Sequence, residues 1–359
     1  MRWGNPCKDP YESRSADMIN RIKHRLLPAI KGGGFFRDDL MIWCGSVVKG
    51  EDGRFHMFAS CWDRELGFGM NWLTDCRVVR ASSDTPEGPF QLEETVLPRR
   101  GPQYFDGMNT HNPYVRYWNG TYYLYYMGTS YPEGTPTHGE NVDPGLFTEL
   151  WNRKRIGLAV SHSVFGPWER RDTPLLEPRN CSHWDCTATT NPAVAILPDG
   201  TTYMLYKSRS FAGGTLQIGV AVADRPDGEF RRLSEEPIFS FDNPDFHLED
   251  PYLWYEDGKF RLLIKDDFKN HSGGICGEWG AGLYGESEDC LHWEFAEEPK
   301  AYSRTVHWND GSVTTQCNLE RPFLLLQDGH PTHLYLATGN GDSPYQFTHT
   351  WNMVMPLRP

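Results

Sequence analysis

A hairpin pattern that recurs five times constrains the fold of this chain more than any other feature. Each copy has a polar loop, a first strand, an Asp-Gly or Asn-Gly turn, and a second strand rich in aromatic or aliphatic residues. The first strands of the copies begin at or near Cys44, His111, Thr190, Phe246 and Glu320. Because one supersecondary unit returns at intervals of roughly 60 to 80 residues, the pattern predicts a fold built by radial repetition.

Four of the hairpins are followed by a second common segment. It consists of a small-residue strand, a turn and a short outer strand that ends on an aromatic residue. These segments span residues 79–90, 156–168, 218–230 and 281–293. A hairpin plus this segment makes a four-stranded blade, so the sequence predicts an all-β, five-bladed β-propeller. The apolar stretch 351–357 is suited to closing the ring.

The N-terminal part of the chain carries a different pattern. Residues 14–29 place Met18, Ile22 and Leu26 on one face of a helix that would stop at Pro28. We therefore expect a helical extension over residues 1–34, followed by one catalytic propeller domain over residues 35–359. The helix would serve as a lid or buttress on the propeller, or as a contact in a homodimer.

Composition excludes several classes of partner. The net charge of −13 and the absence of a basic stripe argue against nucleic acid. No apolar run is long enough for a membrane span, and the N-terminus lacks the apolar core of a signal peptide. We expect a cytoplasmic protein, although a secreted or periplasmic one trimmed of its leader would read the same. The 13 Trp and 17 Tyr exceed what a core needs, and spare aromatic rings often face sugars, while packing between blades is the alternative.

Carboxylates cluster around the starts of the hairpins. Counting six positions back from Gly45, Asn112 and Asn191 gives Asp39, Asp106 and Asp185, whereas the later copies carry their acids at Glu249, Asp250 and Glu320. The loops that enter the inner strands of a propeller converge on one mouth, so these acids would share a cavity and raise one another's pKa values. Such a set suits general acid and base catalysis. The alternative is that each Asp caps its loop or forms a turn.

These motifs resemble the five-bladed propeller glycosidases of glycoside hydrolase families 43 and 117. The run from Trp43 to Ser60 resembles a branch of that group described only as glycosyl hydrolases. The resemblance covers nearly the whole chain from about residue 35. It implies an exo-acting, inverting hydrolase of oligo- or polysaccharides that takes part in carbohydrate metabolism and polysaccharide degradation.

The resemblance also implies three catalytic roles. They fall by position on Asp39 as general base, Asp185 as the residue that modulates a pKa, and Glu249 as general acid, with Asp38 as a substitute for Asp39. One departure is plain, because the blade-one and blade-three acids of family 43 directly precede a proline, where this chain has Gly45-Ser46 and Asn191-Pro192.

The expected mechanism follows from these roles. Glu249, kept protonated by nearby Asp185 and Asp250, would donate to the leaving oxygen while Asp39 activates water. Inversion requires roughly 6.5 to 9.5 Å between the two carboxyl groups, and a spacing of about 5 Å would favour retention.

Further polar residues lie where the strands meet the expected mouth. The substrate-binding candidates are His111, Asp106, Lys207, Asp250, Lys265, Glu320 and Arg321. The cations among them, together with Arg209, would suit a uronate or another anionic sugar, and salt bridges to the acids explain them nearly as well. His111 would bind a sugar hydroxyl, help to hold a central ion, or only satisfy the core. No His or Cys cluster has the spacing of a metal site, so we expect no required cofactor, with a structural Ca²⁺ in the channel left open.

Four other classes of function stay open. A glycoside phosphorylase would use the cations and His111 to hold phosphate, and a polysaccharide lyase would pair a Tyr, Lys or His base with an Arg. A non-catalytic carbohydrate-binding propeller would need the aromatic rings without an acid and base. A scaffold for protein partners would need neither, and the converging acids argue against it.

Overall fold

Five antiparallel sheets make up nearly all regular structure in the described part of the chain. The computed structural model describes residues 14–15, 19–211, 214–241, 246–268 and 274–359, with the backbone alone at Arg14, Ser15, Phe246 and Phe268. Apart from a short parallel strand at the edge of one sheet, the strands of each sheet follow chain order, as the repeats predict. The prediction of an all-β, five-bladed propeller is therefore confirmed.

The first three blades take up the chain as far as residue 232. A short strand before them, Arg14–Ser15 (β1), pairs with the outer edge of blade four. Blade one comprises Leu40–Lys49 (β2), Phe55–Asp63 (β3), Arg77–Ser83 (β4) and Gln91–Leu97 (β5). Blade two comprises Asn109–Trp118 (β6), Thr121–Thr129 (β7), Arg155–Ser161 (β8) and Glu169–Arg170 (β9). Blade three comprises Thr190–Ile196 (β10), Thr202–Ser208 (β11), Gln217–Ala223 (β12) and Arg231–Arg232 (β13).

The rest of the chain continues in the same way. Blade four comprises Phe246–Glu256 (β14), Lys259–Phe268 (β15), Gly282–Ser287 (β16) and Glu294–Tyr302 (β17). A separate hairpin, Thr305–His307 (β18) and Val313–Thr315 (β19), precedes blade five. Blade five has three strands, Glu320–Gln327 (β20), His330–Gly339 (β21) and Thr350–Pro356 (β22). The short helices are Arg64–Leu66, which is a 3-10 turn, Asn71–Thr74 (α1) and Leu146–Asn152 (α2).

The N-terminal segment closes the ring as an extended chain along β22. The backbone N–H groups of Leu27, Ile30 and Phe35 donate to the carbonyls of Pro356, Val354 and Asn352 at 2.8, 3.0 and 2.9 Å. Blade five has no fourth strand of its own, so this segment covers the edge that β22 would otherwise leave unpaired. Residues 26–35 thus run beside β22 and are joined to it by backbone hydrogen bonds.

The helix expected over residues 14–29 is not formed in its described part. Residues 14–15 are a strand, residues 21–25 form turns, and Ile22 is buried in the propeller core. The apolar spacing that suggested a helix is explained by packing against blade five, where pairing with β22 satisfies the backbone. The remainder of the expected extension, residues 1–13 and 16–18, lies outside the described residues.

Each inner strand begins with the same irregularity. The residues Cys44, Asn112, Asn191, Asp250 and Arg321 all have left-handed backbone conformations, with φ between 51° and 55°. In every blade the strand pairing shifts at this point, which marks a β-bulge. A bulge re-aims a side chain, here toward the centre of the ring.

These five side chains form a chain of hydrogen bonds that crosses all five blades, and we call them the axial ring. The Cys44 thiol donates to Asn112 Oδ1 at 2.9 Å, and Asn112 Nδ2 donates to Asn191 Oδ1 at 3.2 Å. Asn191 Nδ2 and Arg321 Nη1 both donate to Asp250 Oδ1, at 2.7 and 3.2 Å. The axial ring ties the blades together and forms a polar floor.

Beneath the floor the channel is filled by one cation. The Arg116 guanidinium donates to the backbone carbonyls of Val194 and Leu253 and to the hydroxyls of Tyr114 and Tyr252. Its charge also lies over the ring of Phe323, at 5.4 Å from the centroid. Because these partners come from blades two to five, Arg116 spans the channel beneath the axial ring. No helix in the described residues has the length and apolar character needed to cross a bilayer.

Candidate functional site

A cavity of about 360 Å³ lies directly above the axial ring, and all five ring residues line it. The residues that precede the ring positions in blades one, two, four and five, Trp43, His111, Glu249 and Glu320, line it as well. The bulges therefore place two successive side chains of most inner strands on the cavity wall.

One side of the cavity is aromatic. Trp43 and Trp62 line it together with Phe68, which packs edge to face on both rings at centroid distances of 5.1 and 5.4 Å. Further round the wall, α1 supplies Trp72 and α2 supplies Trp151. Flat apolar faces beside a polar floor are the surfaces on which the C–H face of a sugar ring packs.

Glu249 is held ionised by two buried lysines. Its Oε1 accepts a hydrogen bond from Lys207 Nζ, and its Oε2 accepts one from Lys265 Nζ at 3.1 Å. Burial alone would raise the pKa of this carboxyl, but the two ammonium groups outweigh burial and hold it well below its usual range. The sequence led to the opposite expectation, a protonated Glu249 that acts as general acid, and these two ion pairs favour the ionised form instead.

Glu320 has the opposite character. Burial raises the pKa of its carboxyl, and the neighbouring Asp250 and Glu249 charges add to that effect against the attraction of Lys265. Lys265 Nζ, Asn318 Nδ2 and the Tyr345 hydroxyl all donate to Oε1, at 2.9, 3.0 and 2.7 Å. No described residue donates to Oε2, so this oxygen is free to carry the proton. Glu320, predicted as a substrate contact, has the properties of a general acid.

Lys265 connects these two carboxyls. Its side chain is almost fully buried, and its Nζ lies within salt-bridge distance of Glu249, Glu320 and Asp267. Burial lowers the pKa of an amine, but Asp267 and Glu320 together hold the pKa of Lys265 well above its usual value. It is therefore a fixed positive charge between two carboxyl groups.

The cations Lys207 and Arg321 are also paired with carboxylates, whereas Arg209 donates to Asn152 Oδ1 at 3.2 Å and lies over the Trp151 ring. Lys207 is bound to Glu249, and Arg321 Nη1 is bound to Asp250. Asp250 itself belongs to the axial ring, where it accepts bonds from Asn191 and Arg321. Salt bridges thus account for Lys207, Lys265 and Arg321, the alternative that the sequence left open.

Two buried groups on the cavity wall lack such partners. Lys154 is 2% exposed and lies between two indoles, with Nζ at 5.3 Å from the Trp72 ring centroid and 3.9 Å from that of Trp151. No described carboxylate lies within salt-bridge distance of it. His111 is 1% exposed, and its Nδ1 accepts a bond from Asn109 Nδ2 at 3.0 Å, which places the ring proton on Nε2. No described group accepts a hydrogen bond from that Nε2.

The three acids found by counting back six residues do not line the cavity. Asp39 is 61% exposed on the surface, where Arg37 binds both of its oxygens at 2.7 Å. That hydrogen-bonded pair lowers the pKa of the Asp39 carboxyl. Neighbouring Asp38 does not line the cavity either. The expectation that a blade-one acid faces the cavity is therefore wrong.

Asp185 and Asp106 are buried structural anchors. Asp185 accepts bonds from Arg179 and Arg232, both at 2.6 Å, and from the Tyr206 hydroxyl at 2.8 Å. Burial would raise the pKa of Asp185, but these donors hold it below its usual value. Asp106 occupies the same place in blade two, where it binds Arg100, Arg170 and the Tyr126 hydroxyl. Both acids fasten a loop to the strands behind it, so the six-residue offset identified a repeated anchor and not the cavity.

The cavity carboxylates do not fit a calcium site. Calcium takes six to eight oxygen ligands, whereas Glu249, Asp250 and Glu320 are bound to lysine and arginine. Within the described ranges no group of three or more His, Cys, Asp or Glu side chains is arranged to hold a metal ion.

Six of the residues predicted from the sequence line one cavity: His111, Lys207, Glu249, Asp250, Glu320 and Arg321. Sequence reasoning missed Lys154, the wall aromatics and the axial ring members Cys44, Asn112 and Asn191. A usable signal for the ring was present in the sequence, since four of its five members stand directly before a proline.

Comparison with solved structures identifies chains of the same architecture. A family 117 glycoside hydrolase of the marine bacterium Zobellia galactanivorans aligns with a TM-score of 0.63 and 15% identity, over 93% of this chain and 89% of that one. The Bacillus subtilis arabinanase Arb43A aligns with a TM-score of 0.53 and 17% identity, over 88% and 94%. An exo-1,5-α-L-arabinanase from a bovine ruminal metagenomic library aligns with a TM-score of 0.54 and 15% identity, over 90% and 94%.

Sequence comparison adds no relative to these structures. No protein-family model and no curated protein matches the chain. At such low identities the structural likeness establishes the fold, and on that ground the chain is a five-bladed β-propeller of the architecture found in glycoside hydrolases of families 43 and 117.

Proposed function

We propose that this protein is a glycoside hydrolase that removes a terminal sugar residue from an oligo- or polysaccharide. One observation carries the proposal: two carboxyl groups of one cavity share the Lys265 ammonium, but only Glu249 is bound by a second ammonium, from Lys207, which favours ionisation of Glu249 over that of Glu320. A pair of carboxyl groups whose environments separate their pKa values is the arrangement that glycosidases use. The structural neighbours named as glycoside hydrolases support the same reaction class.

The cavity supports attack at a chain end. Its volume of about 360 Å³ lies near the lower limit of ligand pockets, roughly 300 to 1,000 Å³. The axial ring and Arg116 close it below, so a long polymer has no second opening through which to pass. A terminal sugar on the ring, with the rest of the chain leaving through the mouth, fits this shape.

We further propose retention of configuration, in place of the inversion implied by the family resemblance, because the two carboxyl groups meet at one lysine. Glu249 Oε2 and Glu320 Oε1 bind the same Lys265 nitrogen at 3.1 and 2.9 Å, so they lie no further apart than the sum of those bonds. Retaining enzymes place their carboxyl groups roughly 5 to 5.5 Å apart, and inverting enzymes roughly 6.5 to 9.5 Å.

The proposed reaction has two steps. In the first, a Glu249 oxygen bonds to the anomeric carbon while the bond to the leaving oxygen breaks, and Glu320 Oε2 gives that oxygen its proton. In the second, Glu320 takes a proton from water, the water oxygen bonds to the anomeric carbon, and the bond to Glu249 breaks. Lys207 and Lys265 hold Glu249 ionised before and after the cycle.

The test is sugar release from a panel of aryl glycosides and plant and algal oligosaccharides, with and without phosphate. We expect release that does not require phosphate, that is lost in Glu320→Gln and Glu249→Gln, and that persists in the control Asp39→Asn. Proton NMR of the first product should show the anomer of the substrate.

Other outcomes would contradict the proposal. Release that requires phosphate identifies a phosphorylase, and an ultraviolet-absorbing unsaturated product identifies a lyase. Sugar binding without cleavage across the panel identifies a binding module. If the opposite anomer appears first, the hydrolase function still holds and the assignment of retention is wrong.

A further inference from the structure

The charges in the cavity do not balance, although nearly every group there has a partner. The cations Lys207, Lys265 and Arg321 are each bound to a cavity carboxylate. Lys154 is the cation on the described wall that has none, and it is buried without a hydrogen-bond acceptor. When Lys154 is protonated, this side of the cavity therefore carries a positive charge that no described carboxylate pairs with, within a protein whose net charge is −13.

Lys154 is fixed in place by its own backbone and by aromatic rings. Its carbonyl accepts bonds from Thr189 N at 3.3 Å and from Arg155 Nη1 at 2.9 Å, between the end of α2 and the start of β8. The Trp72 and Trp151 rings flank the ammonium. A buried lysine held without an anion loses hydration that the rings replace only in part. A ligand that supplies an anion would restore it.

A second unsatisfied donor lies on the same indole. His111 packs edge to face on Trp72 at a centroid distance of 5.5 Å, so it shares that ring with Lys154. Burial lowers the pKa of His111 well below its usual value, and the charges of Lys154, Arg321 and Lys207 lower it further, so the ring is neutral. Its Nε2–H is buried and aimed at no acceptor among the described residues.

From these two donors we infer that the terminal sugar recognised by the cavity is acidic, with a carboxylate or sulfate group that binds Lys154 Nζ and His111 Nε2. That the sugar is terminal rests on the proposed function. That it is acidic rests on Lys154 and His111. Lys207 and Arg321, the cations from which the sequence suggested an anionic sugar, are already neutralised. Lys154 was not among the predicted residues.

Binding of such a ligand should take up a proton. Burial lowers the pKa of Lys154 well below its usual range, and the nearby Lys207 and Arg209 charges lower it further against the attraction of Glu249 and Asp250. An anion on Nζ favours the charged amine, so affinity for acidic sugars should fall as pH rises through the pKa of Lys154. Neutral sugars should show no such dependence.

The test is calorimetric titration with free sugars, which need no catalysis. Glucuronate, galacturonate, mannuronate and galactose 6-sulfate are compared with glucose, mannose and galactose. We expect at least one acidic sugar to bind about tenfold more tightly than its neutral counterpart. Whether the uronates or galactose 6-sulfate bind more tightly identifies the anionic group as carboxylate or sulfate.

Variants separate recognition from a structural role. Lys154→Met should cost about tenfold in affinity for the acidic sugar and leave the neutral sugar within about twofold. Lys154→Arg should restore part of the preference. Lys31→Met is the matched control, because Lys31 also lies over an indole, at 5.0 Å from Trp308, but on the surface.

Equal binding of acidic and neutral sugars by the wild type would overturn the inference, as would an equal loss of both in Lys154→Met. These outcomes are distinct from failure of the proposed function. Selective binding of an acidic sugar without cleavage of its glycosides would contradict the hydrolase function and support the inference of an acidic sugar. Cleavage of neutral glycosides without a preference for acidic sugars would support the hydrolase function and contradict that inference.

Discussion

The different partners of two neighbouring glutamates are the main feature at the scale of single residues. Both belong to inner strands, and both bind Lys265. They differ because Glu249 has a second ammonium, from Lys207, whereas Glu320 faces neutral donors at one oxygen. The number of charged partners, and not burial alone, decides which carboxyl keeps its proton.

This division predicts the pH dependence of kcat/KM on an aryl glycoside. Activity should fall as pH rises through the raised pKa of Glu320, because the acid loses its proton. At low pH, activity should fall only below the usual carboxyl range, where Glu249 takes up a proton. The plateau of kcat/KM should therefore extend on both sides of about 4.3, the ordinary pKa of Glu. An alkaline limb at that ordinary value in the free enzyme would contradict the assignment.

Two of the three misplaced acids, Asp185 and Asp39, give a second residue-level prediction. Asp185→Asn leaves Arg179 and Arg232 without their buried partner, so unfolding free energy at neutral pH should drop by about 3–5 kcal/mol. Asp39→Asn removes an exposed pair and should cost about 0–1 kcal/mol. Chemical denaturation monitored by tryptophan fluorescence measures both variants.

The Asp185 difference should also depend on pH with a defined sign. The pKa of Asp185 is lowered in the folded protein, so its stabilisation is present above the unfolded-state pKa and is lost as pH falls through the folded value. Wild type and Asp185→Asn should therefore converge in strongly acidic solution. A difference that grows on acidification would contradict the buried ion-pair interpretation.

At the scale of elements, the strands were predictable and the places where they deviate from regularity were not. Hairpin turns and alternating apolar residues predicted β2–β3, β6–β7 and the other inner pairs. The bulge at each inner strand was missed, although Pro113, Pro192, Pro251 and Pro322 mark it. A bulge shifts which residues face inward, and this is why counting from the strand start led to Asp39, Asp106 and Asp185.

The N-terminal helix failed for a different physical reason. Its apolar spacing was real, but the unpaired edge of β22 offered the segment backbone hydrogen bonds and a hydrophobic surface together. A local pattern carries no information about an edge at the other end of the chain. Tertiary pairing therefore overrode helix propensity.

Two glycines in that segment allow its pairing to be tested. Gly32 and Gly34 have nearly the same left-handed φ, 73° and 74°. A Cβ at Gly32 meets nothing within 4 Å, whereas one at Gly34 would lie 1.9 Å from the carbonyl oxygen of Asn352. Gly32→Ala should cost about 1–2 kcal/mol for the backbone alone, and Gly34→Ala clearly more because it also separates the segment from β22.

Thermal unfolding of the two variants provides the measurement. A larger fall in midpoint for Gly34→Ala supports closure of blade five by the N-terminal segment. Equal midpoints would show that the segment does not pair there in solution.

At the scale of the whole molecule, the axial ring couples the blades to one another at the site of the proposed chemistry. One side chain from each blade contributes, and Asp250 joins the bonds from Asn191 and Arg321. The same residues form the cavity floor. Stability of the ring and the geometry of the site are therefore linked.

Asn191→Ala should measure that link. It removes the bonds to Asn112 and Asp250 and leaves buried polar groups unpaired, each costing about 1–3 kcal/mol. Asn119→Ala is the control, since Asn119 has a similar φ of 47° but lies in an exposed turn. We expect a single unfolding transition in each case, with Asn191→Ala shifted further. Equal shifts would mean that the axial ring adds nothing beyond backbone strain.

The most direct test of the central claim is the dependence of Glu320→Gln on the leaving group. Without its acid, the enzyme should lose about 10²- to 10⁴-fold in kcat/KM on alkyl glycosides, and far less on dinitrophenyl glycosides, whose leaving group needs no proton. Glu249→Gln should lose activity on both. Equal losses on both substrates in Glu320→Gln, or a loss confined to poor leaving groups in Glu249→Gln, would contradict the assignment of Glu320 as acid and Glu249 as its ionised partner.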